Sequence, residues 1–222
     1  MSINFENHKC MKHIKTFLVS AVLAAAVSAC GSGGGNKTTT SETDTPETGI
    51  DETTMTSEPK TMIMTTTNDE LRFGLSGSGT ATIAWGNQKE TAELLEDELK
   101  WFHLAIPDIN SRTVTLSGEI TGFECAWGGI TELDVRRNTA LTNLSLNVNQ
   151  LARLDLSKNS TLTYLDVKAN QFTAETLNDL FGSLHGKGGI INIAYNPGTD
   201  DCNTSIAEAK GWTVEIVELE EN

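Results

Sequence analysis

A repeat constrains this chain more than any other feature. From Ile120 the sequence aligns with itself as ITGFECAWGGITELDVRRNTA (120–140), LTNLSLNVNQLARLDLSKNST (141–161) and LTYLDVKANQF (162–172), a period of 21 residues. Leu133 recurs at Leu154, Asn138 at Asn159, Leu144 at Leu165 and Asn149 at Asn170. Inside each period the pattern LxxLxLxxN occurs twice, offset by 10 and then 11 residues. In LxL the two leucines face one way and the middle residue the other, which is a strand. One copy cannot bury its leucines, whereas stacked copies bury them in one continuous column. An asparagine after each strand can bond the exposed backbone groups of adjacent turns. Asn138, Asn149, Asn159 and Asn170 would form that ladder, and Gly128 stands where its first member would be.

Spacing, residue type and asparagines together resemble the short leucine-rich repeats of bacterial proteins, with a nested LxxLxLxxNxL half-repeat. The resemblance covers residues 120–172 directly, within a repeat domain placed at 119–172. It implies a short solenoid whose outward strips bind protein or glycan ligands. One strip carries Glu124, Asn143, Ser145, Asn147, Tyr164, Asp166 and Lys168. Trp127, beside Gly128-Gly129, is either a stacking platform for a sugar or a lid over the end of the core. The other strip carries Glu132, Asp134, Arg136, Arg153, Asp155 and Ser157. Its alternating signs read as solvated, charge-balanced side chains rather than as a calcium site.

Residues 173–222 read as an α/β cap. Leu177, Leu180, Phe181 and Leu184 keep helical spacing, with Thr173 as N-cap. Ile190–Ala194 reads as a strand, Asn196-Pro197-Gly198 as a turn, Thr204–Lys210 as a short helix and Trp212–Val217 as a last strand. Upstream, residues 61–118 look all-β. TMIMTTT (61–67), LRFGL (71–75), TATIAW (80–85), ETAELL (90–95) and SRTVTLSG (111–118) are short strand-like runs, with a turn at Gly-Ser-Gly and a hairpin at Gly86-Asn87. Ala84-Trp85-Gly86-Asn87, Phe102-His103 and Thr113-Val114-Thr115-Leu116 together resemble a shortened PKD-like β-sandwich. Asn87 and Gln88 stand where that family has Asp and Gly. The fold class expected is therefore mainly β with α: a small sandwich-like domain, a leucine-rich-repeat solenoid and an α/β cap.

The first sixty residues carry a different signal. Lys12, His13 and Lys15 precede an apolar run from Phe17 to Val27, too short to span a bilayer. Val27-Ser28-Ala29-Cys30 resembles the lipobox of bacterial lipoproteins, which implies cleavage between Ala29 and Cys30 and acylation of Cys30. Two or three acyl chains, at about 0.8 kcal/mol per buried CH2, anchor a protein firmly. Residues 1–29 are thus the expected signal peptide. Residues 1–10 lack a leader-like pattern, and Met11 is an alternative start. Residues 30–60 hold nine threonines and six acidic residues, a composition for a flexible tether. Gly31 supplies no inner-membrane retention signal, which favours a surface-exposed outer-membrane lipoprotein.

The formal net charge is -14. Lys9, Lys12, Lys15 and Glu6 leave with the leader, so 13 basic and 29 acidic residues remain. Such an excess repels phosphate backbones and argues against nucleic acid as a partner. Of four cysteines, Cys10 lies in the leader and Cys30 is the lipid site; Cys125 and Cys202 lack zinc-ligand spacing. The repeat places these two at opposite ends of the fold, against a disulfide, with Cys125 as a buried thiol. His103 reads as a structural histidine packed on the β domain, and neither it nor His185 belongs to a triad or a metal motif. The expected protein is a monomer with no cofactor, no metal and no catalytic residue. It binds the membrane through lipid and an extracellular protein or glycan through its repeat face. A structural envelope spacer and, more remotely, a hydrolase are the alternatives.

Overall fold

The computed structural model describes residues 60–109 and 112–216. The expected cleavage and lipidation residues Ala29 and Cys30 lie outside them. The element order is β1 (Thr61–Thr66), β2 (Glu70–Trp85), β3 (Gln88–Leu94), β4 (Lys100–Ala105), β5 (Thr113–Glu124), β6 (Ile130–Asp134), β7 (Asn143–Ser145), β8 (Tyr164–Asp166), α1 (Ala174–Ser183), β9 (Gly189–Asn192), α2 (Ser205–Glu208) and β10 (Trp212–Glu215). The described chain is mainly β, with its strands joined in one mixed sheet and two short helices.

The long antiparallel pair of β2 and β5 is the spine. Residues 71–75 and 80–85, expected as two strands with a Gly-Ser-Gly turn between them, are instead one strand. The glycines make a bulge, with register shifts between Ser76 and Gly77 and between Ser78 and Thr82. A Cβ at Gly77 would stand 2.0 Å from the Glu119 carbonyl oxygen, so only glycine lets β5 approach there. Below the bulge β2 pairs with β4; above it β2 pairs with β3 through a tight hairpin, Trp85 opposite Gln88. β4 is a strand beyond those expected from the sequence. Its alternation is plain once seen: Phe102 and Leu104 are buried while Trp101 and His103 face solvent.

The boundary expected between residues 118 and 119 falls inside β5. Its first half pairs antiparallel with β1, and its last three residues pair in parallel with β7. The core is equally continuous. Phe73 stacks on Phe102 with centroids 5.3 Å apart and tilts against Phe123 at 5.9 Å. Phe123 in turn begins the buried column that runs through Leu144, Leu165 and Ile191 in register, with half-buried Val214 at its end. Leu144 and Leu165 are wholly buried, each worth about 1.5–3 kcal/mol of transfer free energy.

From β5 through β7, β8, β9 to β10 all neighbours are parallel. Strands of three or four residues supply few ladder bonds of their own, so side chains supplement them. Asn149 Nδ2 donates to the Cys125 and Leu146 carbonyls at 2.7 and 2.9 Å, and Asn170 Nδ2 to those of Leu146 and Val167 at 2.9 and 3.0 Å. Asn149 Oδ1 accepts from Ile130 N, and Asn170 Oδ1 from Leu151 N, each at 3.0 Å. Asn196, read from sequence as a turn residue, repeats this geometry on Val167, Ile193 and Phe172. In the other half-repeat Asn138 donates to the Ile120 carbonyl, and Asn159 to those of Val135 and Asn138. A threonine column shares the same period: Thr142 Oγ1 donates to the Thr121 carbonyl and Thr163 Oγ1 to that of Thr142.

Thr173 caps α1 through a capping box with Thr176. Leu177, Leu180 and Phe181 are its buried face. β9 and β10 then extend the parallel ladder, with Trp212 buried against the ring of His185.

Candidate functional site

The residues opposite the buried column form one outward face. Following register partners across the sheet, its middle row runs Trp101, Gly74, Glu124, Ser145, Asp166, Asn192 and Glu215. The row beside it runs Ser76, Gly122, Asn143, Tyr164, Ile190 and Thr213. Asn143, Tyr164, Ile190 and Thr213 are all exposed, so no other described element covers that side of the ladder. Each row exists because outward and inward residues alternate along every strand.

The strip expected from the sequence is gathered on this face. Asn143 and Ser145 sit on β7, opposite Tyr164 and Asp166 on β8. Asn147 and Lys168 follow just beyond the strand ends. Asn147 Nδ2 donates to Ser145 Oγ at 3.2 Å, and Lys168 Nζ lies 3.6 Å from Asp166 Oδ2. The backbone N–H of Lys168 also donates to Asp166 Oδ1 at 3.0 Å. Asp166 is nevertheless buried, and that burial raises its pKa against the lowering effect of Lys168 and Asn147. Burial, then the Asp166 charge, raises the pKa of half-buried Glu124. Tyr164 is raised too, by burial and then by Asp166, Glu215 and Glu124. The face is therefore a region of negative potential.

Trp127 stands one rung from Val148, whose carbonyl accepts its N–H at 3.1 Å. Its side chain is 74 % exposed, so it does not cover the core. Trp127, Val148, Ala169 and Tyr195 have φ of 60°, 55°, 52° and 59°, and among the described residues they are the non-glycine positions with positive φ. Each immediately precedes the same ladder position, held by Gly128, Asn149, Asn170 and Asn196. The left-handed turn is thus a requirement of the ladder, met at both ends by an exposed aromatic residue.

Sequence reading missed Trp101 and its relation to Glu124. Gly74 lies between them in the row and is buried beneath the indole. A Cβ at Gly74 would stand 3.5 Å from Trp101 Cε2 and Cζ2 and 3.2 Å from Leu99 Cδ2. The period-two pattern of residues 100–105 was the signal that could have found it.

On the second strip Arg136 grips Asp134 with two parallel bonds, Nε to Oδ1 at 2.9 Å and Nη2 to Oδ2 at 2.7 Å. The Arg136 bond is the main cause holding Asp134 below its ordinary pKa. Asp155 is lowered chiefly by accepting from the Ser157 N–H at 2.9 Å. Among the described residues no group of three or more His, Cys, Asp or Glu could hold a metal ion. His103, expected to pack on the β domain, faces solvent with Nε2 3.1 Å from Glu70 Oε2. His185 has both ring nitrogens engaged, Nε2 with the Leu162 carbonyl and Nδ1 with Lys187 N. Burial pushes the Cys125 thiol up to about 12, and Cys202 is half-buried; both are free. A shallow cavity of about 220 Å³ lies between the Trp85–Gln88 hairpin and Ala105–Asp108.

No protein family, no curated protein and no solved structure matches this chain.

Proposed function

We propose that this protein is a lipid-anchored lipoprotein of the bacterial envelope, displayed on the outer membrane, whose sheet face binds an extracellular protein or glycan. The observation that carries the reading is the unbroken outward row from Trp101 to Glu215, lying beside the exposed row of Asn143, Tyr164, Ile190 and Thr213. A soluble protein that leaves aromatic and aliphatic side chains uncovered along a sheet has a surface suited to a partner. The 21-residue register of Phe123, Leu144 and Leu165 supports a leucine-rich-repeat solenoid, and β9 and β10 serve as its cap. The PKD-like reading of residues 61–118 rests on the Trp85–Gln88 hairpin, and that part acts as a rigid base for the face. The lipobox-like Val27–Cys30 supports the anchor.

Protease shaving of intact cells tests the proposal. Residues beyond the tether should be released from cells carrying the wild-type chain. The Cys30→Ala chain should leave the membrane fraction. A wild-type chain that resists shaving until cells are lysed would sink surface display. A Cys30→Ala chain that stays in the membrane fraction would sink the anchor.

A further inference from the structure

Glu124 is the feature of this face that its own surroundings do not satisfy. It is half-buried, and among the described residues its side chain has no hydrogen bond or ion pair, whereas Asp166 has Lys168 and Asp134 has Arg136. Its register neighbours are Gly74 on one side, roofed by the Trp101 indole, and Ser145 on the other. Beyond Ser145 stands Asp166, two strands away or roughly 10 Å at ordinary strand spacing. Tyr164, 37 % exposed, lies on the same face of the same strand as Asp166. One unpaired carboxylate, Glu124, thus stands between the small residue Ser145 and the Trp101 indole over Gly74, with buried, Lys168-held Asp166 and exposed Tyr164 beyond Ser145. Carboxylates attract a cation from the side, and aromatic faces attract it from above.

We infer that this patch receives an arginine or lysine side chain from a basic segment of a partner protein, seated against Glu124 between the Trp101 indole and Ser145, with Tyr164 on the same face beyond Ser145. The inference rests on the displayed-face reading and names its partner class. Charge disfavours the occupants this chain could itself supply. A second copy carries the same net charge of -14, and residues 31–60 hold six acidic residues. Both are repelled by an acidic face.

The test uses the full chain carrying Cys30→Ala and a short peptide, acetyl-Gly-Arg-Gly-Arg-Gly-amide. The citrulline version of the same peptide is the uncharged control, and cellohexaose is the glycan control. Binding is measured by isothermal titration calorimetry for every variant, and its place on the face from the Trp101 indole resonance in NMR titrations of the chains that keep Trp101. The arginine peptide should saturate this resonance, and the citrulline peptide should not. Glu124→Gln should weaken the arginine peptide about five- to tenfold, as loss of a charge-assisted contact does. Trp101→Ala should weaken it further than Trp101→Phe, which keeps an aromatic face. Asp134→Asn removes the same charge elsewhere and should change binding less than twofold.

Equal weakening by Glu124→Gln and Asp134→Asn would reduce the effect to long-range attraction and overturn the inference. So would equal binding of the citrulline peptide. Cellohexaose shifting Trp101 while the arginine peptide does not would overturn the basic partner and leave the binding face standing. Failure of surface display itself is read from the shaving experiment and not from these titrations.

Discussion

Asn170→Ala is the most direct test of what holds the parallel ladder together. Asn170 is 2 % exposed and makes four bonds, accepting from Leu151 N and donating to the Leu146 and Val167 carbonyls and, at 3.2 Å, to that of Lys168. Those carbonyls do not share one fate with the N–H. Leu146 keeps a bond from Asn149, and Val167 keeps one from Asn196. Leu151 N loses its side-chain acceptor outright, inside a wholly buried residue. An orphaned buried N–H costs about 1–3 kcal/mol, and each lost carbonyl bond about 0.5–1 kcal/mol. The sum is about 3 kcal/mol. For a domain of this size that lowers Tm by roughly 6–12 °C. Thermal unfolding of the Cys30→Ala chain, followed by circular dichroism, measures it. Asn159→Ala should cost less, because Asn159 Oδ1 accepts no hydrogen bond and no N–H is stranded. A loss below about 1 kcal/mol for Asn170→Ala, or a larger loss for Asn159→Ala, would refute this account of the ladder.

Further outcomes follow from the same geometry. Cys125 should resist iodoacetamide at pH 8 in the folded protein and react on unfolding, while Cys202 reacts sooner; mass spectrometry of the alkylated peptides separates the two. Trp127→Gly should leave Tm unchanged or raise it, since the left-handed turn costs a non-glycine residue about 1 kcal/mol and the side chain buries little. Glu124 has a folded pKa above its ordinary value of 4.5, so the fold disfavours its charged form at neutral pH. Glu124→Gln should therefore be more stable than wild type at pH 7, and the gain should vanish as pH falls to 4.5, read from paired melts. Asp134 and Asp155 run the other way. Their lowered pKa values add stability at neutral pH that is lost on acidification, so Asp134→Asn should flatten the acid limb of the stability curve. Gly74→Ala should displace the Trp101 ring and shift its fluorescence without unfolding the chain.

The candidate site was half legible in the sequence, and the halves divide by physics. Asn143, Ser145, Tyr164 and Asp166 could be placed side by side because a fixed period of 21 converts sequence position directly into rung and column. The same rule found the buried leucines and the paired asparagines. It failed for Asn196, because α1 lengthens that step to 26 residues beyond Asn170 and breaks the count. It also failed for Trp101 and Gly74, which belong to no period. Their place beside Glu124 comes from antiparallel pairing of β4 with β2 and of β2 with β5, through the pairs Gly74–Trp101 and Gly74–Glu124, 27 and 50 positions apart.

What the sequence determined by itself was local and repetitive. The LxL alternation chooses strands, the asparagines bond neighbouring turns, and Thr173 with its apolar spacing starts α1. These follow from neighbours within one turn or one repeat. The tertiary structure alone decided that β5 belongs to both halves of the molecule. A single strand carries β1 on one stretch and β7 on the next, while its opposite edge is held by β2. That sharing extends the outward face past the repeats to Trp101. Pairing partners distant in the chain are selected by mutual burial, here Phe73, Phe102 and Phe123 closing one core, and no short stretch of sequence contains all three.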